Sequence, residues 1–310
     1  MKVFIAFLLS LLIMAVIFSR VNLAEFRAFV TQMNPGLFVA ALLLFIPQVG
    51  LTAYRWRILI EEKARIGLWE STKLVLSANA LNILLPSRVG DLSKGYFVSQ
   101  REQMDLKRGM NVVFFEKYID LASLGLVTLV GILAVRQWDQ PTLLGLGFSL
   151  SLLGIFPILY AVDLQSFLER PFFERSKVLS KIRNFAKDTQ DYLNEVKKKP
   201  RKLLGILALS IFLWFLHLLQ FYMIFLALHS QVSPFHVFRL VPLAILVGLV
   251  PLTIAGMGTR DSAMIYFFSP YEKVSLIVGV GLFASLRYLI PGALGLPFLN
   301  QYVVREKKGQ

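Results

Sequence analysis

Residues 79–91 of the chain read NALNILLPSRVGD, and residues 250–261 read VPLTIAGMGTRD. In both stretches a proline follows an apolar turn, and a polar, glycine-bearing segment with an arginine and an aspartate precedes a second apolar run. Proline removes a backbone donor and stops a helix, whereas glycine lets the chain turn sharply. Each stretch therefore predicts a helix, a break and a second helix, within the apolar segments at about residues 74–98 and 240–268.

The composition around these stretches is that of a membrane protein. Of 310 residues, 56% are hydrophobic and only 17% are charged, whereas soluble domains carry about 25% charged residues. The formal net charge is +14, but no basic segment alternates with stacking aromatic residues, so we expect anionic lipids and not nucleic acid as partners. The absence of cysteine excludes disulfide scaffolds, thiolate metal sites and cysteine nucleophiles.

Six uninterrupted apolar runs are long enough to cross a bilayer, which takes about 20 helical residues. The first begins after Lys2 like a signal peptide, but no small-residue cleavage site follows it, so we expect a retained helix. The six runs are residues 3–18, 37–54, 112–135, 143–162, 203–228 and 274–299.

The distribution of lysine and arginine predicts the topology, because these residues accumulate on the cytoplasmic side. Residues 55–73 carry five, 94–108 four, 170–202 eleven and the tail after Tyr302 three. Both flanks of the first broken segment are then cytoplasmic, and both flanks of the second are external. We therefore expect two re-entrant hairpins that enter from opposite faces, with both termini cytoplasmic, in the inner membrane of a prokaryote.

The order helix, helix, hairpin, helix occurs twice with reversed orientation. The predicted fold is an all-α polytopic membrane protein with six transmembrane helices and two re-entrant helical hairpins in an inverted repeat, at residues 1–136 and 137–310. Transporters commonly use such repeats, with discontinuous helices meeting near the midplane. The alternative is eight transmembrane helices, two of them kinked by proline.

A connector at residues 163–202 joins the two repeats. Its apolar residues, among them Tyr192, Leu193 and Val196, have helical spacing, and its other face is rich in lysine. It is expected either to lie on an anionic cytoplasmic leaflet or to act only as a positive topology anchor with a solvated face.

Charged side chains inside the apolar segments identify the candidate site. Each costs about 2.5 to 3.5 kcal/mol at a helix centre, so they should face protein or a wet cavity. The arginine after each break stands near a new helix start, where unpaired N–H groups favour anions. The alternative is that these charges merely pair and cap helices.

The expected substrate-binding residues are Asn79, Asn82, Arg88, Asp91, Arg260, Asp261 and Arg287. The expected coupling or charge-balancing residues are Glu116, Lys117 and Asp120, and the expected hinges are Pro86, Gly90, Pro251, Gly256 and Gly258.

Enzyme motifs are weak. The three histidines, His217, His229 and His236, lack the spacing of a metal site. Glycines 256 and 258 are followed by a Thr-Arg-Asp sequence and not by the rest of a phosphate loop. We therefore expect no metal and no cofactor. Glu116 and Asp120 lie four residues apart on one helix face, so acid–base chemistry by this pair stays open as an alternative.

These residues resemble the lysylphosphatidylglycerol synthase transmembrane-region family, a flippase-like membrane domain that also occurs as free-standing proteins. The resemblance rests on Asn82 with LPxRxGD at 85–91, EKxxD at 116–120, and Pro251 with GxGxRD at 256–261. Family members often carry glutamate at positions 91 and 261 and arginine at position 117. Full-length synthases add a soluble aminoacyl-transferase domain, whereas here eleven residues follow Leu299, so aminoacylation is not expected.

The resemblance implies the movement or handling of a lipid. The leading hypothesis is a flippase that moves an anionic phospholipid or lipid-linked headgroup, with Arg88 and Arg260 holding the phosphate. One alternative is a membrane-embedded lipid-modifying enzyme, or an accessory subunit that partners a lipid or glycolipid biosynthetic enzyme. Another is a scaffold whose basic connector recruits a cytoplasmic protein.

Overall fold

The computed structural model describes residues 2–19, 21–60, 66–85, 89–101, 104–161, 190–250, 253 and 256–303, and these contain helices but no strand. The helices of residues 1–136, the predicted first repeat, are α1 Lys2–Ser19, α2 Leu23–Gln32, α3 Pro35–Leu43, α4 Phe45–Ile60, α5 Leu68–Leu84, α6 Leu92–Arg101 and α7 Leu106–Val135, with a 3-10 turn at Val89–Asp91 before α6. Those of residues 137–310, the predicted second repeat, are α8 Gln140–Ala161, α9 Pro200–Ala227, α10 Pro234–Leu249, α11 Thr259–Phe268 and α12 Val274–Val303.

All six predicted apolar runs are helical, and their helices are α1, α3 with α4, α7, α8, α9 and α12. Within the described ranges four helical segments are long and apolar enough to cross a membrane, or five if the bent pair α1–α2 counts as one span. The polytopic all-helical fold is thus confirmed. The full arrangement of six spans with two re-entrant hairpins stays a prediction.

The second span contains a break that the apolar pattern does not reveal. Leu44 separates α3 from α4, and Pro47 explains the break, because its ring conflicts with helical geometry at the carbonyl four residues earlier. Gln220 of α9 donates a 2.8 Å hydrogen bond to the carbonyl of Ala41. A buried amide therefore satisfies backbone next to the break, as apolar surroundings require.

The chain folds back on itself at both predicted breaks. After α5, Gly90 packs so closely on this helix that a Cβ atom would lie 2.7 Å from the carbonyl oxygen of Ala78. After α10, Gly256 and Gly258 have φ values of 72° and 98°, a region that favours glycine. Gly256 lies directly against the backbone of Gly248. Pro86, Arg88 and Pro251 lie outside the described residues.

The two hairpins exchange partners between the repeats. Helix α5 of the first hairpin packs on α12, and helix α10 of the second hairpin packs on α7. Both contacts run over glycine: Gly295 of α12 meets the backbone of Leu76, and Gly131 of α7 meets the backbone of Arg239. Such small residues let helix backbones approach in a membrane, where no hydrophobic force joins helices. A broken segment of each half thus packs on a long helix of the other half, and the inverted repeat itself stays a prediction.

The described end of the connector packs on protein. Residues 190–197 are helical, and Tyr192 is buried against Phe115 of α7 with an edge-to-face ring contact. Leu193 and Val196 join the same apolar cluster at the ends of α4, α7 and α9. Over this end the apolar face therefore packs on helices, and the two expectations for the basic face stay predictions. Residues 162–189 lie outside the described residues.

Candidate functional site

A cavity of about 140 Å³ lies where the two repeats meet. Its walls come from α4, α5, α7, α9 and α12 and from the start of the second half of the first hairpin. The polar and charged lining residues are Gln48, Thr52, Arg55, Asn79, Asn82, Asp91, Lys94, Glu116, Lys117, Asp120, Trp214, His217, Arg287 and Tyr288. The apolar lining residues are Phe45, Val49, Val75, Ile83, Leu213 and Pro291.

Arg55 is the centre of a buried ion cluster on one wall. Its guanidinium donates hydrogen bonds to Glu116 at 2.9 Å, to Asp120 at 3.1 Å and to the hydroxyl of Ser210 at 2.7 Å. Only 3% of the Arg55 side chain is exposed. The planar fork of arginine can serve two carboxylates at once. Arg55 therefore joins α4 to α7 and α9 through one side chain.

Lys94 closes the cluster from the other side of Glu116. Its ammonium contacts the second carboxylate oxygen of Glu116 and lies 4.7 Å from the ring centre of Trp56. Glu116 thus has one cation on each oxygen, and both Lys94 and Glu116 are buried. Removal of one partner from such a buried pair typically costs 3–5 kcal/mol, about the full penalty of an uncompensated charge.

Lys117 occupies a different position from its neighbour Glu116. Its ammonium forms an ion pair with Asp91 and lies 3.9 Å from Asp120. Asp91 also accepts a 3.1 Å hydrogen bond from the amide of Asn82. The side chain of Lys117 is 37% exposed although it stands at mid-helix in α7. Lys117 is therefore a cation that faces the open part of the cavity.

Arg287 approaches the cavity from α12. Its guanidinium carbon lies 4.4 Å from the ring centres of both Phe221 and Tyr288, and it donates a hydrogen bond to the Tyr288 hydroxyl. A further contact joins it to the carbonyl of His217 at 3.5 Å. Aromatic faces bind a guanidinium by cation–π attraction, so Arg287 places a cation on the α12 wall of the cavity.

The charge balance of the cavity favours anions. Among the described lining residues four side chains are cationic and three are carboxylates. Amides and aromatic rings fill the space between them, and an apolar wall of α4 and α5 residues adjoins them. Such a site can take a polar anionic group together with an apolar part. The described residues contain no cluster of histidine, cysteine and acidic side chains that could hold a metal ion.

The structure brings together most, but not all, of the residues predicted for the site. Asn79, Asn82, Asp91, Glu116, Lys117, Asp120 and Arg287 all line the cavity. Arg260 does not line it: its guanidinium donates to Asp261 at 2.6 Å, to the carbonyl of Gly281 at 2.7 Å and to Ser285 at 3.0 Å. Asp261 in turn accepts from the backbone N–H of Gly258 at 3.0 Å and caps α11. Among the described residues, this pair therefore stabilises the second break instead of facing the cavity.

Two cations of the site were missed by the sequence reasoning. Arg55 was assigned to the cytoplasmic loop that begins at residue 55, and Lys94 to the loop that begins at residue 94, but both lie inside helices and are buried. The spacing of polar residues in the sequence could have revealed both cations. Gln48, Thr52 and Arg55 share one face of a helix by their spacing of four and three, and so do Asp91 and Lys94.

A second polar cluster lies at the predicted external end. Arg239 of α10 is fully buried and donates to Asp139 at 3.0 Å, to Thr142 at 2.9 Å and to the hydroxyl of Tyr271 at 2.9 Å. Asp139 stands in the link between α7 and α8, outside the membrane-spanning segments. Burial alone would raise the pKa of Asp139, but hydrogen bonds from Thr142 and the charge of Arg239 outweigh it and hold this pKa below its ordinary value. The cluster ties the second hairpin to the α7–α8 link.

Known proteins resemble this chain over most of its length. Residues 3–295 match the family described as the lysylphosphatidylglycerol synthase TM region. A UPF0104 membrane protein of Methanocaldococcus jannaschii is 24% identical over 99% of this chain and 97% of its own length. A second UPF0104 membrane protein of that organism is 28% identical over 74% of this chain. One of Methanothermobacter thermautotrophicus is 22% identical over 78% of this chain.

Proposed function

Because the chain belongs to the lysylphosphatidylglycerol synthase transmembrane-region family, we propose that it moves an anionic phospholipid or a lipid-linked headgroup across the membrane. The headgroup phosphate enters the cavity between Lys117 and Arg287, and the acyl chains stay beside the apolar wall. The two hairpins open the cavity alternately to the two sides. The transported lipid needs no covalent change.

One observation carries this proposal: a cavity with more cations than carboxylates lies between the repeats, next to an apolar wall. An isolated charge at this depth would cost about 2.5 to 3.5 kcal/mol. The seven charged side chains that line the cavity must therefore neutralise one another or bind a charged ligand. Arg55 and Lys94 are neutralised by Glu116 and Asp120. Lys117 and Arg287 complete a path lined with positive charge, as an anionic headgroup requires.

The two carboxylates favour transport over lipid chemistry. A general acid or base must be free to exchange a proton with its substrate. Glu116 holds Lys94 and Arg55, and Asp120 accepts two hydrogen bonds from Arg55. Carboxylates fixed in this way act as counter-charges that position cations, and the proposal assigns them this role.

The test is the redistribution of a labelled lipid in proteoliposomes. The purified protein is reconstituted with phosphatidylglycerol that carries a dithionite-sensitive fluorophore on one chain, with and without a pH gradient. We expect quenching beyond the outer-leaflet share with the unaltered protein and a loss of at least tenfold in rate with Lys117→Gln or Arg287→Gln, because each removes an interaction worth about 1.4 kcal/mol or more.

The matched control is Lys273→Gln, which removes a charge from an exposed ion pair with Glu25 outside the cavity. It should leave the rate unchanged. Mass spectrometry of the recovered lipids distinguishes the enzyme alternative, which would yield a new lipid species. No redistribution with any anionic lipid, with or without the gradient, would refute the transport proposal.

A further inference from the structure

Two sets of charged residues in the cavity differ in their access to the open space. Arg55, Lys94 and Glu116 are sealed, with side chains 3%, 2% and 1% exposed. Lys117 is 37% exposed and its partner Asp91 is 11% exposed. A ligand that enters the cavity therefore reaches the Lys117–Asp91 pair without disturbing the sealed group.

Asp91 holds its position through the first hairpin. It ends the 3-10 turn that follows the break, and the amide of Asn82 on α5 donates to its carboxylate at 3.1 Å. The preceding Gly90 packs on α5 so tightly that a Cβ atom would lie 2.6 Å from the backbone nitrogen of Asn82. The carboxylate is thus fixed at one end to α5 and joined at the other to Lys117 of α7.

We propose that Asp91 is a built-in occupant of the anion site. Its carboxylate takes the place on Lys117 that the phosphate of a headgroup takes when bound. This inference rests on the proposed function, because it requires an anionic ligand in the cavity. A carboxylate and a phosphate compete for the same ammonium group, and both make charge-assisted hydrogen bonds to it.

Displacement of Asp91 has a mechanical consequence. The Lys117–Asp91 pair is an ionic link between the break of the first hairpin and α7. When phosphate replaces the carboxylate, this link is lost while the sealed cluster of Arg55, Lys94 and Glu116 stays intact. A ligand shifts a conformational equilibrium only by its different affinity for the two states. Competition for Lys117 supplies that difference and makes movement of the first hairpin depend on an occupied site.

The experiment compares anion binding with lipid movement in the full-length protein. Binding of dihexanoylphosphatidylglycerol and of inorganic phosphate is measured by isothermal titration calorimetry in detergent. In Asp91→Asn the competing charge is gone, so we expect both ligands to bind about tenfold more tightly, which corresponds to about 1.4 kcal/mol. Lipid movement in proteoliposomes should become slower, since binding no longer breaks a link. Lys117→Gln should lose binding of both ligands.

Two further variants keep the test decisive. Asn82→Ala removes a hydrogen-bond donor to the Asp91 carboxylate without changing any charge, and it should raise anion affinity by a smaller factor than Asp91→Asn. Glu25→Gln makes the same acid-to-amide change in an exposed pair outside the cavity, and it should alter neither binding nor movement. If only the short-chain lipid binds more tightly, the competition is still supported and the ligand is a lipid headgroup and not free phosphate.

The proposal is overturned if neither Asp91→Asn nor Asn82→Ala binds either ligand more tightly than the unaltered protein does. Should Lys117→Gln still abolish binding in that case, the proposed transport function stands and only the competition is wrong. If the unaltered protein neither binds nor moves any anionic lipid, the proposed function fails and this inference falls with it.

Discussion

At the residue scale, Arg55 shows how a cation can be kept at membrane depth. It has two carboxylate partners and a serine hydroxyl, and it is almost completely buried. A lysine at this position could not bind both carboxylates in the same way, because its ammonium group lacks the planar fork of a guanidinium. The buried cluster is therefore specified by the residue type and not only by its charge.

We expect Arg55→Ala to destabilise the protein by about 3–5 kcal/mol, because Glu116 and Asp120 would lose a buried counter-charge. The measurement is thermal unfolding in detergent, followed by intrinsic fluorescence. Lys273→Ala serves as the control, since this exposed pair with Glu25 should contribute only about 0–1 kcal/mol. Equal melting temperatures for the two variants would show that the cluster does not stabilise the fold.

A second residue-scale prediction concerns Asp139 and pH. The pKa of Asp139 in the folded protein lies below its ordinary value of 3.8, so its pair with Arg239 stabilises the protein fully above that value. This stabilisation is lost as pH falls through the folded pKa. The difference in melting temperature between the unaltered protein and Asp139→Asn should therefore be constant from about pH 8 to pH 5 and shrink in more acidic solution. A difference that already shrinks near neutral pH would contradict the assignment.

At the element scale, glycine determines which helices meet. The contact between α5 and α12 has no room for a side chain, because a Cβ on Gly295 would lie 1.9 Å from the carbonyl oxygen of Leu76. The contact between α6 and α7 is similar, with Gly95 and Gly109 facing each other backbone to backbone. These contacts bring Asp91 and Lys94 to α7, and Arg287 to the same cavity.

Gly295→Ala should therefore separate α5 from α12 and destabilise the protein by about 1–3 kcal/mol, the usual range for overpacking. Gly205→Ala in α9 is the matched control, because nothing lies within 4 Å of the Cβ position there. That control should keep or slightly raise the melting temperature, since alanine favours a helix by about 1 kcal/mol over glycine. Equal stability of both variants would show that the α5–α12 contact can relax without cost.

At the scale of the whole molecule, the cavity belongs to neither repeat alone. Its walls include α4, α5 and α7 from the first repeat and α9 and α12 from the second. The external cluster around Arg239 likewise joins the α7–α8 link to the second hairpin. Movement of one predicted repeat against the other would therefore change both places together.

The re-entrant topology predicts the side of four exposed positions. Trp69→Cys and Asp105→Cys, which flank the first hairpin, should both react with a membrane-impermeant maleimide only from the cytoplasmic side. Gln231→Cys and Ser269→Cys, which flank the second, should react only from outside. The unaltered protein contains no cysteine that could react, and all four positions are exposed. Opposite sides within either pair would favour eight kinked spans.

The sequence by itself determined the six long apolar segments and the breaks near Gly90 and Gly256, but not the break at Leu44. A bilayer requires long apolar helices, and proline and glycine interrupt helices. Both features can be recognised in short stretches of sequence. The candidate residues of α7 were likewise visible because any charge in an apolar helix is conspicuous. The predicted inverted orientation and the hairpin sides rest on charge counts in loops and stay predictions.

The tertiary structure alone decided which charges meet. Arg55 and Lys94 look like loop residues at the ends of apolar runs, yet close glycine packing and extended helices bury both against Glu116. Arg260 looks like a cavity residue, but within the described residues its guanidinium donates to Asp261 and to a backbone carbonyl of α12 at the second break. The physical reason is that an ion pair depends on distances between residues far apart in the chain, and helix packing, not local sequence, sets those distances.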